Sequence, residues 1–157
     1  MGIEIERKFL VVKELWTPPH SGTLIRQGYL SLDPARTVRV RLAGDKGYLT
    51  IKGESVGHLR AEYEYGIPAV EAAELLDRHC HRPLIEKIRY RIPAGRHLWE
   101  VDEFFGENAG LLLAEVELKD PAEEVVLPAW IGREVSDDPR YYNAALIRHP
   151  FGEWGGA

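Results

Sequence analysis

Apolar and charged residues alternate along the first strand-like segment of the chain. In residues 2–11, GIEIERKFLV, one side of an extended strand carries Glu4, Glu6 and Lys8, and the other side is apolar. In one isolated strand, this pattern is typical of charges that face water and of apolar side chains that face the core. The direction of the charged side in this protein therefore depends on the rest of the chain.

The same two-residue period predicts eight strands, which are separated by segments rich in glycine and proline. The predicted strands are residues 2–13, 23–32, 36–43, 47–53, 58–67, 84–92, 96–105 and 111–119. A glycine-rich turn, GDKG at 44–47, separates the third strand from the fourth. Most of the strands follow one another as hairpins, which favours a meander or a barrel.

Two helices interrupt the order of the strands. The first is predicted over 70–80, and its apolar stripe consists of Val70, Ala73, Leu75 and Leu76. The second is predicted over 138–149, where Asp138 is the N-cap and Pro139 occupies the first turn.

Charged residues recur on one face of at least seven strands, and their signs are segregated by strand. The acidic positions on these faces are 4, 6, 62, 64, 100, 102, 115 and 117, and the basic positions are 8, 39, 41, 52, 60, 87, 89 and 91. A sheet that is charged for solubility alone has no need of this segregation. The pattern is compatible with two structures, a salt-bridged face in water or a charged face that binds a ligand.

The paired carboxylates have chemistry that suits a divalent cation. Alternate residues on a strand have Cα atoms about 6.5 Å apart, so Glu4 with Glu6, or Glu115 with Glu117, can converge on one ion. Mg²⁺ and Mn²⁺ prefer carboxylate oxygens and commonly share their ligands with phosphates. The Arg and Lys side chains of the basic strands would bind those phosphates.

Length, net charge and cysteine content indicate the number of domains and the cellular compartment, and argue against some binding partners. A length of 157 residues predicts a single domain, and the net charge of −5 argues against a general surface for nucleic acid or anionic membrane. The single cysteine, Cys80, excludes an intramolecular disulfide and indicates a reducing compartment. The sequence contains neither a secretory signal nor an apolar run of membrane-spanning length, so we expect a cytoplasmic protein.

Seven short charged segments follow one another in a characteristic order. They are EIERK at 4–8, RVR at 39–41, TIK at 50–52, EYE at 62–64, EKIR at 86–89, EVD at 100–102 and EVEL at 115–118. In this order they resemble the CYTH superfamily, whose members are also called triphosphate tunnel metalloenzymes, and the first segment resembles its E-x-E-x-K signature. The resemblance covers almost the whole chain. It implies an α+β fold in which an eight-stranded antiparallel β-barrel forms a tunnel with a charged interior and flanking helices.

The resemblance also implies a role for each charged position. The implied metal ligands, for Mg²⁺ or Mn²⁺, are Glu4, Glu6, Glu62, Glu64, Asp102, Glu115 and Glu117. The side chains implied to bind the triphosphate are Lys8, Arg39, Arg41, Lys52, Arg60, Lys87, Arg89 and Arg91. The implied catalytic set comprises Lys8, Glu4, Glu6 and Tyr29. Tyr29, in the segment RQGYLS, is either a partner of Lys8 or a packed barrel tyrosine.

The start IEIERKFLV and the tail DDPRYYNAAL resemble short bacterial members that cleave inorganic tripolyphosphate to pyrophosphate and phosphate. The expected partner is therefore a small molecule that contains a triphosphate. The tail near Tyr141 and Asn143 resembles an element that closes one end of the tunnel. Three alternatives stay open: a class IV adenylate cyclase that makes cyclic AMP from ATP, a thiamine triphosphatase, and a non-catalytic barrel that binds polyphosphate or nucleotide.

Overall fold

A computed structural model describes residues 2–57 and 59–154, in which nine strands form one antiparallel sheet. The strands are β1 (Gly2–Val11), β2 (Thr23–Ser31), β3 (Arg36–Ala43), β4 (Lys46–Gly53), β5 (Leu59–Ile67), β6 (Ile85–Ala94), β7 (His97–Phe104), β8 (Leu112–Glu117) and β9 (Ile131–Glu134). Their order is β5-β4-β3-β2-β6-β7-β8-β1-β9, and β1 also pairs with β5. Eight strands thus close into a barrel, which confirms the predicted fold. The predicted strand start at residue 58 and the ends of the predicted domain, at 1 and 155–157, lie outside the described residues.

Strand β1 closes the barrel because its second edge is divided between two partners. Its first residues, Gly2 to Ile5, pair with β5, whereas Phe9 and Val11 pair with β9. The sequence pattern did not predict β9, since the four residues IGRE are too few to show a two-residue period. The Arg7 guanidinium donates to both carboxylate oxygens of Glu134, at 3.0 and 2.8 Å, and fastens β9 to the barrel.

Two hairpins of the barrel turn at glycines with left-handed backbone. Gly44 has a φ of 60° in the turn between β3 and β4, and this confirms the turn predicted from GDKG. Gly95 has a φ of 63° in the turn between β6 and β7. Residues with a Cβ rarely adopt this conformation, so these glycines permit tight connections that keep neighbouring strands in register.

Helix α1 (Ala69–Arg78) covers β3 and β4 from outside the barrel. Ala72 and Leu76 are its fully buried residues, whereas Val70, predicted on the buried stripe, is 65% exposed. The helix approaches the sheet at Gly47, where an added Cβ would lie 2.8 Å from the Ala72 Cβ. This close approach turns Ala72, and not Val70, toward the sheet.

The predicted helix over 138–149 is interrupted. Residues Pro139–Tyr141 form a 3₁₀ turn, which the Asp138 carboxylate caps by accepting a hydrogen bond from the Arg140 amide at 3.1 Å. Tyr142 is extended, and helix α2 (Asn143–Arg148) follows. The break leaves the Tyr141 carbonyl free to accept a hydrogen bond from Lys8 Nζ at 3.2 Å.

Within the described residues, no helix is long and apolar enough to cross a membrane.

The apolar faces of the strands form an outer skin. Buried side chains of this skin include Ile5, Phe9, Trp99, Val101 and Val116. Trp16 and Trp130, from connecting segments, pack over it, with ring centroids 4.9 Å apart in edge-to-face geometry. The charged faces consequently point into the barrel.

The interior becomes apolar at the end of the barrel that α2 covers. Four apolar residues there continue the charged stripes of their strands: Leu10, Ile85, Phe104 and Leu113. They pack with Leu146 and Ile147 of α2. The interior is therefore charged along part of its length and filled by apolar packing at this end.

Candidate active site

A cavity of about 620 Å³ lies inside the barrel. All predicted site residues except Asp102 line it: Glu4, Glu6, Lys8, Tyr29, Arg39, Arg41, Lys52, Arg60, Glu62, Glu64, Lys87, Arg89, Arg91, Glu115 and Glu117. These residues come from seven of the eight barrel strands, all except β7. Closure of the barrel thus brings together charges that are dispersed over more than one hundred residues of sequence.

The two signs occupy opposite halves of the barrel. The acidic half consists of the adjacent strands β7, β8, β1 and β5, which present Glu100, Glu115, Glu117, Glu4, Glu6, Glu62 and Glu64. The basic half consists of the adjacent strands β4, β3, β2 and β6. Strands β4, β3 and β6 present its cations, Lys52, Arg39, Arg41, Lys87, Arg89 and Arg91, and β2 presents Tyr29. Lys8 and Arg60 are the cations on acidic strands.

Like charges face each other within the acidic half. Glu6 lies opposite Glu117 in the pairing of β1 with β8, and Glu100 lies opposite Glu115 in the pairing of β7 with β8. Burial raises the pKa of Glu6 well above its usual value, and the charges of Glu115 and Glu4 raise it further. Burial and neighbouring carboxylates likewise raise the pKa of Glu117. The acidic half therefore carries uncompensated repulsion.

Lys52 supplies part of the missing positive charge. Its Nζ donates to the Glu4 carboxylate at 2.8 and 3.0 Å, and it lies 3.6 Å from Glu62 Oε2. Burial and the nearby charge of Glu4 nevertheless keep the pKa of Glu62 raised. One ammonium is thus insufficient to offset the carboxylates around it.

Lys8 and Glu115 form a second charged pair, deeper in the barrel. Lys8 Nζ lies 3.6 Å from Glu115 Oε1 and 5.5 Å from the centre of the Tyr142 ring. Burial lowers the pKa of Lys8, but the negative charges of Glu115 and Glu6 outweigh burial and raise it. Burial raises the pKa of Glu115, but Lys8 and Arg89 outweigh it and lower this pKa to about 2.

Tyr29 is a packed barrel tyrosine that also lines the cavity. It lines the cavity, and at 5% exposure it packs with Ile85 and Phe104 in the apolar end of the barrel. The direct hydrogen-bond acceptor of Lys8 Nζ is the backbone carbonyl of another tyrosine, Tyr141. The structure therefore places Tyr29 beside the charged groups, with Tyr141 as the hydrogen-bond partner of Lys8.

Asp102, which the sequence interpretation assigns to the metal ligands, contacts two cations of the basic half. Arg89 donates to both of its carboxylate oxygens, at 2.8 and 2.9 Å, and Lys87 Nζ lies 2.8 Å from Oδ2. Burial raises the pKa of Asp102, but Arg89 and Lys87 outweigh it and hold this pKa far below its usual range. With its side chain 2% exposed, Asp102 is a buried counter-ion of the basic half.

Lys87 and Arg41 are cations whose positive charge is poorly compensated. Burial lowers the pKa of Lys87 to about 7, and Arg89 and Arg41 oppose the stabilising charge of Asp102. Burial also lowers the pKa of Arg41 to about 9, with further lowering by Arg39 and Arg89. Both groups would gain stability from an anion in the cavity.

Three further predicted cations contact neighbouring side chains or backbone. Arg39 Nη2 donates to Thr50 Oγ1 at 3.2 Å and lies 3.5 Å from Glu64. The side chain of Arg91 is 52% exposed and pairs with Glu100 at 3.3 Å. Arg60, in contrast, is held by the Gly53 carbonyl at 2.6 Å.

The sequence analysis assigned no ligand or catalytic role to three residues of the cavity region. Glu100 lines the cavity, and the two-residue period that selected Asp102 also places Glu100 on the inner face. Asn143 lines the cavity from α2, and the buried Gln27 lies behind the basic half. Neither amide carries a charge, so the segregation of charge along the strands could not reveal them.

The donors of the acidic half fit a hard divalent cation. All are carboxylate oxygens, and their mutual repulsion would be relieved by a positive ion. Within residues 2–57 and 59–154, no three His, Cys, Asp or Glu side chains form a ready-made metal site. The donor set thus suits an ion that completes its coordination with oxygens of water or phosphate.

Comparison with known proteins agrees with this geometry. The family model of the CYTH domain matches residues 2–142. An inorganic triphosphatase of Acetivibrio thermocellus is 51% identical over 96% of this chain and 97% of its own length. An inorganic triphosphatase of Nitrosomonas europaea is 39% identical over 91% of this chain and 95% of its own length. A crystal structure of an inorganic triphosphatase superposes with a TM-score of 0.64 at 36% identity, and the match covers 94% of this chain and 95% of that one. The chain belongs to the CYTH domain family.

Proposed function

We propose that this protein is a divalent-metal-dependent inorganic triphosphatase, which hydrolyses tripolyphosphate to pyrophosphate and phosphate in the cytoplasm. The observation that carries the proposal is the cavity inside the barrel, in which an acidic half faces a basic half. The two relatives named as inorganic triphosphatases support the same activity. The charges of the two halves match a metal ion and a phosphate chain that bind side by side.

The basic half binds the phosphates in this proposal. Arg39 and Arg41 offer guanidinium groups that match pairs of phosphate oxygens, and Lys52 and Lys87 offer point charges. Arg89 adds positive charge to this surface, although its Nε and Nη2 already donate to Asp102. Arg60 and Arg91 extend this surface. Because burial disfavours the cationic forms of Arg41 and Lys87, a polyanion would stabilise both.

The acidic half holds the metal, for which we propose Mg²⁺ or Mn²⁺. Its ligands would be Glu4, Glu6, Glu62 and Glu117, with Glu64 and Glu115 at the margins of the set. When bound, such an ion supplies positive charge to phosphate oxygens and acidifies a water molecule for in-line attack. We exclude Asp102 from the ligands, because Arg89 and Lys87 already occupy its oxygens.

Lys8 acts on the reacting phosphoryl group in this proposal. The raised pKa keeps its ammonium charged, so it can neutralise negative charge that develops on the phosphate oxygens. Tyr29 lines the same cavity, and its phenol can orient a phosphate oxygen or a water molecule by a hydrogen bond. The apolar packing below these groups excludes bulk water from that end.

The test compares substrates, metals and one matched pair of variants. Purified protein is incubated with tripolyphosphate, ATP or thiamine triphosphate, with Mg²⁺ or with EDTA, and released phosphate and cyclic AMP are measured. We expect metal-dependent phosphate release from tripolyphosphate, and a loss of at least about a hundredfold in kcat/KM for Glu4→Gln. The control, Glu124→Gln, changes an exposed carboxylate outside the cavity.

Each contrary outcome has a distinct meaning. Phosphate release that persists in EDTA, or that survives Glu4→Gln unchanged, would refute the assigned roles of the acidic half. Formation of cyclic AMP from ATP would instead favour an adenylate cyclase. Binding of tripolyphosphate without turnover would favour a non-catalytic barrel.

A further inference from the structure

Two neutral amides connect the cations of the basic half to helix α2. Gln27 Oε1 accepts a hydrogen bond from Arg41 Nε at 2.9 Å, and Gln27 Nε2 donates to Asn143 Oδ1 at 2.8 Å. The same Asn143 oxygen accepts a hydrogen bond from Lys87 Nζ at 2.9 Å. We call this chain of hydrogen bonds the amide relay: Arg41, Gln27, Asn143 and Lys87.

The chemistry of the end groups fixes the direction of the relay. The Lys87 ammonium has only donors, so Asn143 must present its oxygen to it. Gln27 must then turn its NH₂ group toward that oxygen, which leaves Gln27 Oε1 for the Arg41 guanidinium, itself a group with donors only. The orientation of Gln27 is thus determined at both ends of its amide, and that of Asn143 by the two donors that share its oxygen.

Burial makes this relay costly to break. Gln27 is fully buried, and Lys87 is 1% exposed. A buried amide that loses its partner keeps an unsatisfied polar group, which water cannot reach. The relay therefore restricts where Arg41 and Lys87 present their charges to the cavity.

The neutrality of the amides distinguishes them from a counter-ion. A carboxylate in place of Gln27 would hold Arg41 more strongly, but it would cancel the positive charge offered to an anion. In the described part of the chain, the side-chain partner of Arg41 is this amide and not a carboxylate. The amide thus orients the guanidinium and leaves its charge available.

We propose that Gln27 and Asn143 are positioning residues of the phosphate-binding surface, which fix Arg41 and Lys87 relative to each other and to α2 without neutralising them. This inference rests on the proposed function, since it assigns phosphate binding to those cations. Gln27 and Asn143 act through the cations, with Gln27 buried behind them.

The first experiment measures hydrolysis of tripolyphosphate with saturating Mg²⁺. Gln27→Met preserves the shape of the side chain and removes both hydrogen bonds, so we expect KM to rise about tenfold while kcat changes less than about threefold. Asn143→Leu should have a similar effect. Arg26→Met is the control, because Arg26 lies on the same strand and its side chain pairs with Asp77 of α1 outside the barrel.

A double-variant cycle tests whether Gln27 acts through Arg41. In an Arg41→Met background, Gln27→Met should lower kcat/KM by less than about twofold, because the group it positions is absent. If Gln27→Met lowers kcat/KM as much in that background as in the wild type, Gln27 does not act through Arg41, and the relay is refuted.

Gln27→Glu separates positioning from a merely structural role. This variant retains the contact to Arg41, so its thermal unfolding temperature should equal or exceed that of Gln27→Met. Its KM should nevertheless be at least as high, because the new carboxylate neutralises Arg41. A Gln27→Glu protein with wild-type KM would overturn the proposal that the side chain at position 27 must be neutral to leave the charge of Arg41 available.

Titration calorimetry with tripolyphosphate in EDTA separates this inference from the proposed function. If the wild type binds tripolyphosphate in EDTA but does not cleave it when Mg²⁺ is supplied, the proposed hydrolysis fails, whereas the relay still predicts about tenfold weaker binding by Gln27→Met. If the wild type cleaves tripolyphosphate and Gln27→Met has unchanged KM and unchanged affinity, the relay alone is refuted.

Discussion

The acidic and basic halves of the barrel hold like charges together in different ways. In the basic half, one buried carboxylate, Asp102, contacts both Lys87 and Arg89, and the neutral Gln27 holds Arg41. In the acidic half, Lys52 is shared by Glu4 and Glu62, and burial and repulsion raise the pKa of several carboxylates. The basic half is therefore organised around a permanent internal anion, whereas the acidic half depends on a cation that the cavity can admit.

Removal of the internal anion should have the largest effect on stability. Asp102→Ala leaves Lys87 and Arg89 buried without their shared partner, and loss of one partner of a buried ion pair costs about 3–5 kcal/mol. We expect the free energy of unfolding to fall by about that amount in urea denaturation. Glu64→Gln is the comparison in the other half. Because the Glu64 side chain is 43% exposed, this variant should lower the free energy of unfolding by less than about 1 kcal/mol.

An Asp102→Ala variant that unfolds at the wild-type urea concentration would contradict the contrast between the halves. It would mean that Lys87 and Arg89 are solvated or neutral without Asp102. In that case the carboxylate would be available for another role, including the metal binding first predicted for it.

The second prediction concerns Lys52, which lies where the acidic half needs positive charge. In Lys52→Met, we expect Mn²⁺ to bind the substrate-free protein about tenfold more tightly, because the ammonium no longer competes for Glu4 and Glu62. Binding of tripolyphosphate in EDTA should weaken in the same variant. Electron paramagnetic resonance of free Mn²⁺ measures the first quantity, and calorimetry measures the second.

The two effects of Lys52→Met have opposite signs, and this makes the prediction specific. A variant that was merely misfolded would lose both affinities. Unchanged affinity for Mn²⁺ would show that Lys52 does not compete with the ion, and the acidic half would then need a different source of compensation.

The sequence alone predicted the strands of the barrel and the charged face of each, because a two-residue period is a local property. It did not predict the direction of those faces, since alternation is the same whether the charged side faces water or a cavity. The resemblance to a known family supplied that direction. The alternation and helical periodicity also did not predict that the helix over 138–149 is interrupted at Tyr142, next to the Tyr141 carbonyl that accepts a hydrogen bond from the distant Lys8.

Glu100 and Asp102 illustrate what a local pattern leaves out of a site. Both belong to the motif EVD and point to the same side of β7. Their side chains are 29% and 2% exposed, so one lines the cavity and the other is a buried counter-ion. The depth of each side chain in the barrel depends on how β7 is aligned with β6 and β8. Alternation along one strand carries no information about that alignment.

A smaller effect should appear when repulsion in the acidic half is reduced. The pKa of Glu6 is raised in the folded protein, so its ionised form destabilises the fold above that pKa. Glu6→Gln should stabilise the metal-free protein at pH 8 by up to about 1 kcal/mol, the scale of interactions between side chains that lie opposite each other in a sheet. The gain should shrink as the pH falls toward about 4.5, where the wild-type carboxyl becomes protonated in both states.

Thermal unfolding in EDTA at several pH values measures this gain, and Glu124→Gln controls for net charge. If Glu6→Gln destabilises the metal-free protein at pH 8, then the carboxylate of Glu6 is already compensated. The acidic half would in that case resemble the basic half in having its counter-charge built in.

The smallest effect should come from titration of Lys87 in the basic half. Burial lowers its pKa to about 7, so the ammonium is present below that pH and is lost as the pH rises. The guanidinium of Lys87→Arg stays charged over this range. Between pH 6.5 and 8.5, we therefore expect the affinity for tripolyphosphate in EDTA to decrease more in the wild type than in Lys87→Arg, by a factor of about three. Calorimetry on both proteins measures the ratio of affinities, which removes the titration of the phosphate chain itself. A ratio that is independent of pH would mean that Asp102 keeps Lys87 charged throughout this range. The anion and the cations of the basic half would then all keep their charges between pH 6.5 and 8.5.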